Sequence, residues 1–530
     1  MMEERAEYTR ERVLFWTVIG IVCAVSLFWC VKKSDMFIDE IVTYGLSNSY
    51  YAPFISDVPE DRSLINKVLT REDFTEYLTV SEEDAFRFDS VYDNQTRDTQ
   101  PPLYYMLLHF MCSFFKGQYS KWIGLSINLV LYLGTLILLY HTGNMILRSR
   151  KYASLAVLLY GLSFGGLSTV LMIRMYILLT FLTMCFAYVV LSMYQGPVKR
   201  RYYPAVGLIL FLGLFTQYFF VFFAFFLSAA YCLRELWKRH FKEFLLYAAS
   251  AFAGIAVFYI CYPCVTDQLF ADKLVSGQTA AGNLMDFRGM LLSIYSFVMQ
   301  TAAGYKAALL LLLTALAAGV FRLRRTVQAY AAEFGIKDCT AIAMLAAVLF
   351  TILLTAVVSP VTALRYIYNV LPLAALGIVY FMECAGREWE KGFYPFLAVC
   401  ILLCVWKSLT TEPSYVENVP KENFEIMKPY SEYPCVYLDA DYDASVTQDM
   451  LLLIAFPEIF VTDDFLCSET RAYLEKADTG RGVVLFIDVS EDWSSGFDSQ
   501  EVLNGITADT GFRHYNLLCE YSFSETYLLY

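Results

Sequence analysis

Two adjacent carboxylates, Asp39 and Glu40, stand just beyond the first long apolar run, in Phe37-Ile38-Asp39-Glu40-Ile41-Val42-Thr43-Tyr44-Gly45. A carboxylate at an apolar boundary loses part of its water, which raises its pKa and makes it a better proton acceptor. An acidic pair that solvates a helix end accounts for the same residues. A third acid, Asp98, opens Asp98-Thr99-Gln100-Pro101-Pro102-Leu103-Tyr104-Tyr105. The two prolines fix the backbone ahead of a helix and hold Asp98 and Gln100 at its mouth, although simple helix initiation explains them too. Arg174-Met175-Tyr176 and, after Ser359-Pro360, Arg365-Tyr366 each place an arginine beside an aromatic ring between apolar runs. The planar guanidinium fork suits a phosphate, and snorkelling to lipid headgroups suits it equally. Gln217-Tyr218 adds a neutral polar pair. Together, a base, a second acid and two arginines would serve transfer from a phosphate-linked donor to a hydroxyl.

The elements that must position these residues are apolar runs. About 20 mostly apolar residues cross roughly 30 Å of hydrocarbon. Such runs cover 14–31, 122–140, 153–171, 176–194, 244–263, 304–321, 340–358, 366–382 and 393–408. The run 203–233 is too long for one untilted span and divides at Thr216-Gln217-Tyr218. Pro101 to Phe115 is too short to cross and is expected to lie on the membrane surface. That leaves eleven spans, with the clusters Arg148-Arg150-Lys151, Lys199-Arg200-Arg201, Arg234/Lys238/Arg239/Lys242 and Arg322-Arg324-Arg325 all on the side of the N-terminus. The positive-inside rule makes that side cytoplasmic, so all four constellations fall outside. The expected organisation is a membrane domain over 1–408, with a first exterior loop at 32–121, followed by an exterior domain over 409–530.

Composition agrees. The 530 residues are 58% hydrophobic and 17% charged, carry a net charge of −12 and have a mean hydropathy of +0.47. This excludes an ordinary soluble enzyme, a disordered chain and a basic nucleic-acid binder. The acid is concentrated in the two exterior parts: residues 32–100 hold 15 acidic and 7 basic residues, and 411–530 hold 23 and 6. In the tail, Val436–Leu438, Ile459–Val461 and Val483–Val489 read as buried strands separated by amphipathic stretches near 445–455, 467–477 and 499–508, with one or two further strands in Tyr515–Tyr530. Such alternation predicts a small α/β domain with a partly parallel sheet. No glycine-rich phosphate loop follows any of these strands, which favours a cap or an acceptor-recognition module. The fourteen cysteines are mostly small apolar residues of spans. Cys435, Cys467 and Cys519 are odd in number and make no full disulfide framework.

Over residues 1–385 the chain resembles the polytopic membrane glycosyltransferases of the GT-C fold, the family 39-like group that includes protein O-mannosyltransferases and lipid A aminoarabinose transferases. The matching residues are Asp39-Glu40 after span one, Asp98-x-Gln100-Pro101-Pro102-Leu103-Tyr104-Tyr105, Arg174-x-Tyr176, Thr216-Gln217-Tyr218 and Arg365-Tyr366. The order of these motifs is more specific than any one of them. The resemblance implies a polytopic α-helical fold, interfacial helices in the first exterior loop, a catalytic base at Asp39 or Glu40 and a polyprenyl-phosphate sugar donor. The chain departs from the pattern at Gln100 and Gln217, where relatives often carry His, and at Ile173, where an acid is common. Some GT-C enzymes use a divalent metal. The loss of both imidazoles removes the best neutral ligands, leaving Asp39 and Asp98 oxygens to hold one.

The reading that follows is an inverting transferase in the plasma membrane, acting on its outer face. Asp39, with Glu40 as its rival, takes a proton from an acceptor hydroxyl of a protein, a lipid or a cell-wall polymer. Arg174 and Arg365 offset the charge of the departing phosphate. Tyr104, Tyr105, Tyr176, Gln217, Tyr218 and Tyr366 line a sugar or lipid pocket, with an interfacial aromatic belt as the plainer account of the rings. A transporter or flippase for a lipid-linked or anionic substrate is the alternative, though the sequence carries no inverted repeat and few mid-span charges. A non-catalytic scaffold is a third reading.

Overall fold

The computed structural model describes residues 2–59, 63–270, 334–359, 363–385, 393–440, 444–490 and 496–530, with a few more between 288 and 299. Seven described helices are long and apolar enough to cross a membrane: Tyr8–Lys32, Lys121–Ile146, Tyr176–Gln195, Phe220–Trp237, Phe241–Cys261, Ile336–Val358 and Leu364–Cys384. A bent pair, Arg150–Gly161 and Phe164–Leu171, adds an eighth, and Tyr202–Leu214 and Tyr394–Thr410 are shorter apolar helices. These account for ten of the eleven expected runs, and the eleventh, 304–321, lies outside the described residues with the cluster Arg322-Arg324-Arg325. The chain is a multi-pass membrane protein. Leu103–Cys112 is a helix of 10 residues, about 15 Å long and half of what a span needs.

By packing, the chain forms two compact units, one of residues 1–32, 99–104 and 125–414 and one of residues 33–98, 105–124 and 415–530. The first is the helical bundle. Its helices approach closely where glycines allow: a Cβ on Gly254 would stand 2.2 Å from the carbonyl oxygen of Gly207, so Phe241–Cys261 and Tyr202–Leu214 cross backbone to backbone. The expected break at Thr216-Gln217-Tyr218 is present between Tyr202–Leu214 and Phe220–Trp237.

The run expected as one span at 153–171 bends by 62° after Gly161. Ser163 makes the corner, its hydroxyl donating to the Tyr160 carbonyl at 2.7 Å and accepting the Gly166 N–H at 3.0 Å. A Cβ on Gly166 would meet the Tyr160 carbonyl at 2.1 Å. A serine that caps the new helix and a glycine that admits the old one's last carbonyl break a run that hydropathy alone reads as continuous.

The second unit is built on a six-stranded sheet of β1 (Lys67–Thr70), β2 (Cys435–Leu438), β3 (Glu458–Thr462), β4 (Val483–Asp488), β5 (Tyr515–Glu520) and β6 (Ser524–Leu529), in the order β1-β3-β2-β4-β6-β5. β2 runs parallel to both β3 and β4, while the outer pairs are antiparallel. The helices Ala444–Leu453, Ser468–Lys476 and Ser499–Asp509 connect these strands. Every residue of β4 is buried, as a strand covered on both faces must be. Val436, Leu438, Phe460, Leu485 and Ile487 form the core with Tyr473, Leu503 and Ile506 from the helices. The edge strand β1 comes from the loop after the first span, so that loop and the tail share one sheet.

Candidate active site

Asp39 and Glu40 occupy the first turn of the helix Ile38–Asn48 in the second unit. Their environments differ. Glu40 is fully buried and forms an ion pair with Lys33, itself buried, at 2.8 Å. The same Glu40 oxygen accepts the Phe37 N–H at 2.9 Å. Lys33 also donates to the Tyr415 carbonyl at 2.5 Å, and Asp35 accepts the backbone N–H groups of Asn418 and Val419 at 3.0 and 2.6 Å. Burial pushes the Asp35 carboxyl above the usual range, and the N–H groups of Val419 and Asn418, with Lys33, pull it back. Gln448, 1% exposed on Ala444–Leu453, accepts the Ile38 N–H at 2.8 Å and donates to the Met36 carbonyl at 3.3 Å. Glu40 is therefore engaged in fixing the turn, while Asp39 in the same turn is half-buried.

Asp98 is in the same unit, as the residue that closes the helix Phe88–Arg97. That helix is tied down by Asn94, whose amide donates to the Ser49 carbonyl at 2.9 Å, and by Arg97, which pairs with Asp57 at 2.6 Å. Tyr105 is fully buried.

The remaining sequence candidates belong to the helical bundle, which joins four of the motifs. The Leu103 N–H donates to the Phe215 carbonyl at 3.0 Å, tying the double-proline segment to the break at Thr216-Gln217-Tyr218. Tyr104, fully buried, donates to Asn128 at 2.8 Å. Asn128 in turn donates to the carbonyls of Val170 and Met172 at 3.0 and 2.7 Å, so it holds the turn that carries Arg174. Arg174 is 8% exposed there. Tyr176 meets Tyr366 edge to face at 6.3 Å between ring centres, and meets Tyr368 at 6.2 Å. The Arg365 guanidinium lies 5.6 Å from the Tyr366 ring centre, and Phe219 packs on Tyr366 at 5.5 Å. Gln217 turns back to accept the Phe219 N–H at 2.5 Å, and the Tyr218 hydroxyl donates to Gln268.

Sequence reasoning missed four residues. Asn128 carried a usable signal, since an amide within an apolar span is costly unless it bonds. Lys33 reads locally as a lysine that snorkels at a span end, and the long-range contact of Gln448 leaves no local mark. Asn369 lies in the turn Leu364–Val370, 1% exposed, and neither end of its amide has a hydrogen-bond partner among the described residues. The same is true of the buried Gln100 Oε1, although the amide nitrogen of that residue donates to Thr99 at 3.1 Å. No three His, Cys, Asp or Glu side chains among the described residues form a group able to hold a metal ion, and Glu40 is already committed to Lys33. Among the described residues no such cluster offers a metal centre, and no step is assigned to one.

No family model matches the chain, and neither does any curated protein. Among solved structures it is similar to ArnT from Cupriavidus metallidurans in two forms. The form bound to undecaprenyl phosphate has 12% identity and a TM-score of 0.48 over 97% of each chain. The apo form has 13% identity and a TM-score of 0.46 over 98% of each.

Proposed function

We propose that the protein is a membrane glycosyltransferase that moves a sugar from a polyprenyl-phosphate donor to an acceptor hydroxyl on the outer face of the membrane, with inversion. In this reading the Asp39 carboxylate takes the hydroxyl proton as the acceptor oxygen bonds to the anomeric carbon. The bond from that carbon to the phosphate oxygen breaks, and its electron pair leaves on the polyprenyl phosphate. Arg174 and Arg365 offset the charge that collects there. The observation that supports Asp39 over Glu40 as the base is that Lys33 binds Glu40 in a buried pair, while Asp39 in the same turn is half-buried. Asn369 and Gln100 add support, because each has a buried polar atom without a partner among the described residues, which water or a polar ligand must satisfy. A donor sugar or phosphate would satisfy them.

The test is transfer from a panel of radiolabelled polyprenyl-phosphate sugars by the purified wild type beside Asp39→Asn. Consumption of one donor by the wild type, with a loss of about a thousandfold in Asp39→Asn at equal expression, is expected. Near-normal turnover by the variant overturns the base assignment. Labelled lipid crossing a proteoliposome membrane without consumption of any donor would make the protein a transporter.

A further inference from the structure

The helix that carries Asp39 begins without a side-chain cap, because its N-cap residue is Phe37. The first N–H groups of a helix have no partner within it, and a phenylalanine offers none. Phe37 N–H is served locally by Glu40. Ile38 N–H is served from Gln448, 410 residues further along the chain. The other end of the Gln448 amide holds the Met36 carbonyl, so one planar group fixes the chain on both sides of Phe37. Gln448 is buried, and its amide takes both bonds in one orientation: the oxygen accepts and the nitrogen donates.

We infer that Gln448 is a positioning residue for the transfer: the sheet unit fixes the direction in which Asp39 is presented by clamping residues 36–38 with this amide. The inference rests on the proposed role of Asp39. Gln448→Leu keeps the approximate volume and removes both bonds, leaving Ile38 N–H without its acceptor. Gln448→Glu keeps an acceptor for Ile38 and loses the donor to Met36.

The experiment uses the full chain in proteoliposomes and the donor that the wild type consumes from the radiolabelled panel. The expected result for Gln448→Leu is a fall in kcat of about ten- to a hundredfold, because small misplacements of a reacting group cost that much, with KM changed by less than about twofold. Gln448→Glu is expected to fall between it and the wild type. Hydrogen exchange at the Ile38 amide should quicken about tenfold in Gln448→Leu while β4 amides keep their protection. Leu503→Ala serves as the control, since it weakens the sheet core away from this clamp. Wild-type kcat in Gln448→Leu overturns the inference, as does an equal fall in kcat in Leu503→Ala. If Asp39→Asn is inactive and Gln448→Leu fully active, only the positioning role falls. If Asp39→Asn is itself active, the reading of Asp39 fails and the positioning role with it.

Discussion

The two ends of the helical bundle are held together by different chemistry. Past the end of the helix Lys121–Ile146, Arg148 pairs with Asp338 at 3.0 Å, and Asp338 also accepts from Tyr380 at 2.8 Å. Glu383 accepts the backbone N–H groups of Arg148 and Ser149, and Lys337 reaches the Leu147 carbonyl at 2.5 Å. Near the start of the same helix, about 30 Å away, neutral groups tie together the turns that carry Arg174 and Arg365. Asn128 and Tyr104 supply hydrogen bonds, and Tyr176, Tyr366, Tyr368 and Phe219 supply ring edges. Ion pairs of this kind offset a desolvation cost, so breaking one partner away costs more than the pair itself contributes. A scaffold of amides and rings instead holds its turns through directional hydrogen bonds and ring-edge contacts.

That contrast can be broken in three ways, and a fourth test addresses the sheet unit. The largest expected effect is at the charged end: Asp338→Ala strands Arg148 and should lower stability by about 3 kcal/mol, with kcat per folded molecule unchanged. A matching loss of kcat would mean that both ends serve the reaction. Next is Asp449, a buried carboxylate held by tyrosine hydroxyls: Tyr437 donates to it at 2.9 Å, and Tyr521 donates to its other oxygen. Burial raises its pKa to about 6, against the opposing pull of those hydroxyls. The folded state therefore holds this proton more tightly than the unfolded one. Its stabilising contribution is complete below about pH 4 and is lost as pH rises through about 6, a change on the order of 2 to 3 kcal/mol. Thermal melts of Asp449→Asn across that window should lack this part of the pH slope. A slope equal to that of the wild type would place the titration elsewhere.

Third, Arg365→Ala should cost about a hundredfold in kcat with little change in melting temperature. A melting shift like that of Asp338→Ala, with kcat retained, would make Arg365 structural. The smallest effect is expected of Tyr104→Phe, which deletes one buried hydrogen bond to Asn128 and should lower stability by about 1 kcal/mol. A several-fold loss of kcat on top would show that the Arg174 turn loosens when Asn128 does.

What the sequence reveals here depends on distance along the chain. β2, β3 and β4, their intervening helices, the break at Thr216-Gln217-Tyr218 and the short helix after the double proline are all visible, because each is written in consecutive residues as apolar runs, alternation or proline. β1 is not visible: Lys-Val-Leu-Thr at 67–70 becomes a strand because β3 lies beside it. The corner at Ser163 hides because hydropathy averages over Gly161 and Gly166. At the candidate site the motif residues stand out by type, but the distinction between Asp39 and Glu40 rests on Lys33, across a non-helical stretch, and the clamp on their helix comes from Gln448. Pairwise contacts of this kind leave no period to detect.

The pairing of β1 with β3 bears on how the protein is made. About 390 residues of chain, including the helical bundle after the first span, are synthesised between the two strands. At roughly 5–20 residues per second, β1 waits roughly 20–80 s for its partner. Until then the first loop must keep a strand-forming segment from pairing elsewhere, and a tail expressed by itself would show β3 as a bare sheet edge, prone to edge-to-edge aggregation. Completion of the sheet therefore waits for synthesis of everything between the two strands, and a soluble fragment of the tail would leave β3 exposed unless residues 67–70 were supplied as a separate strand.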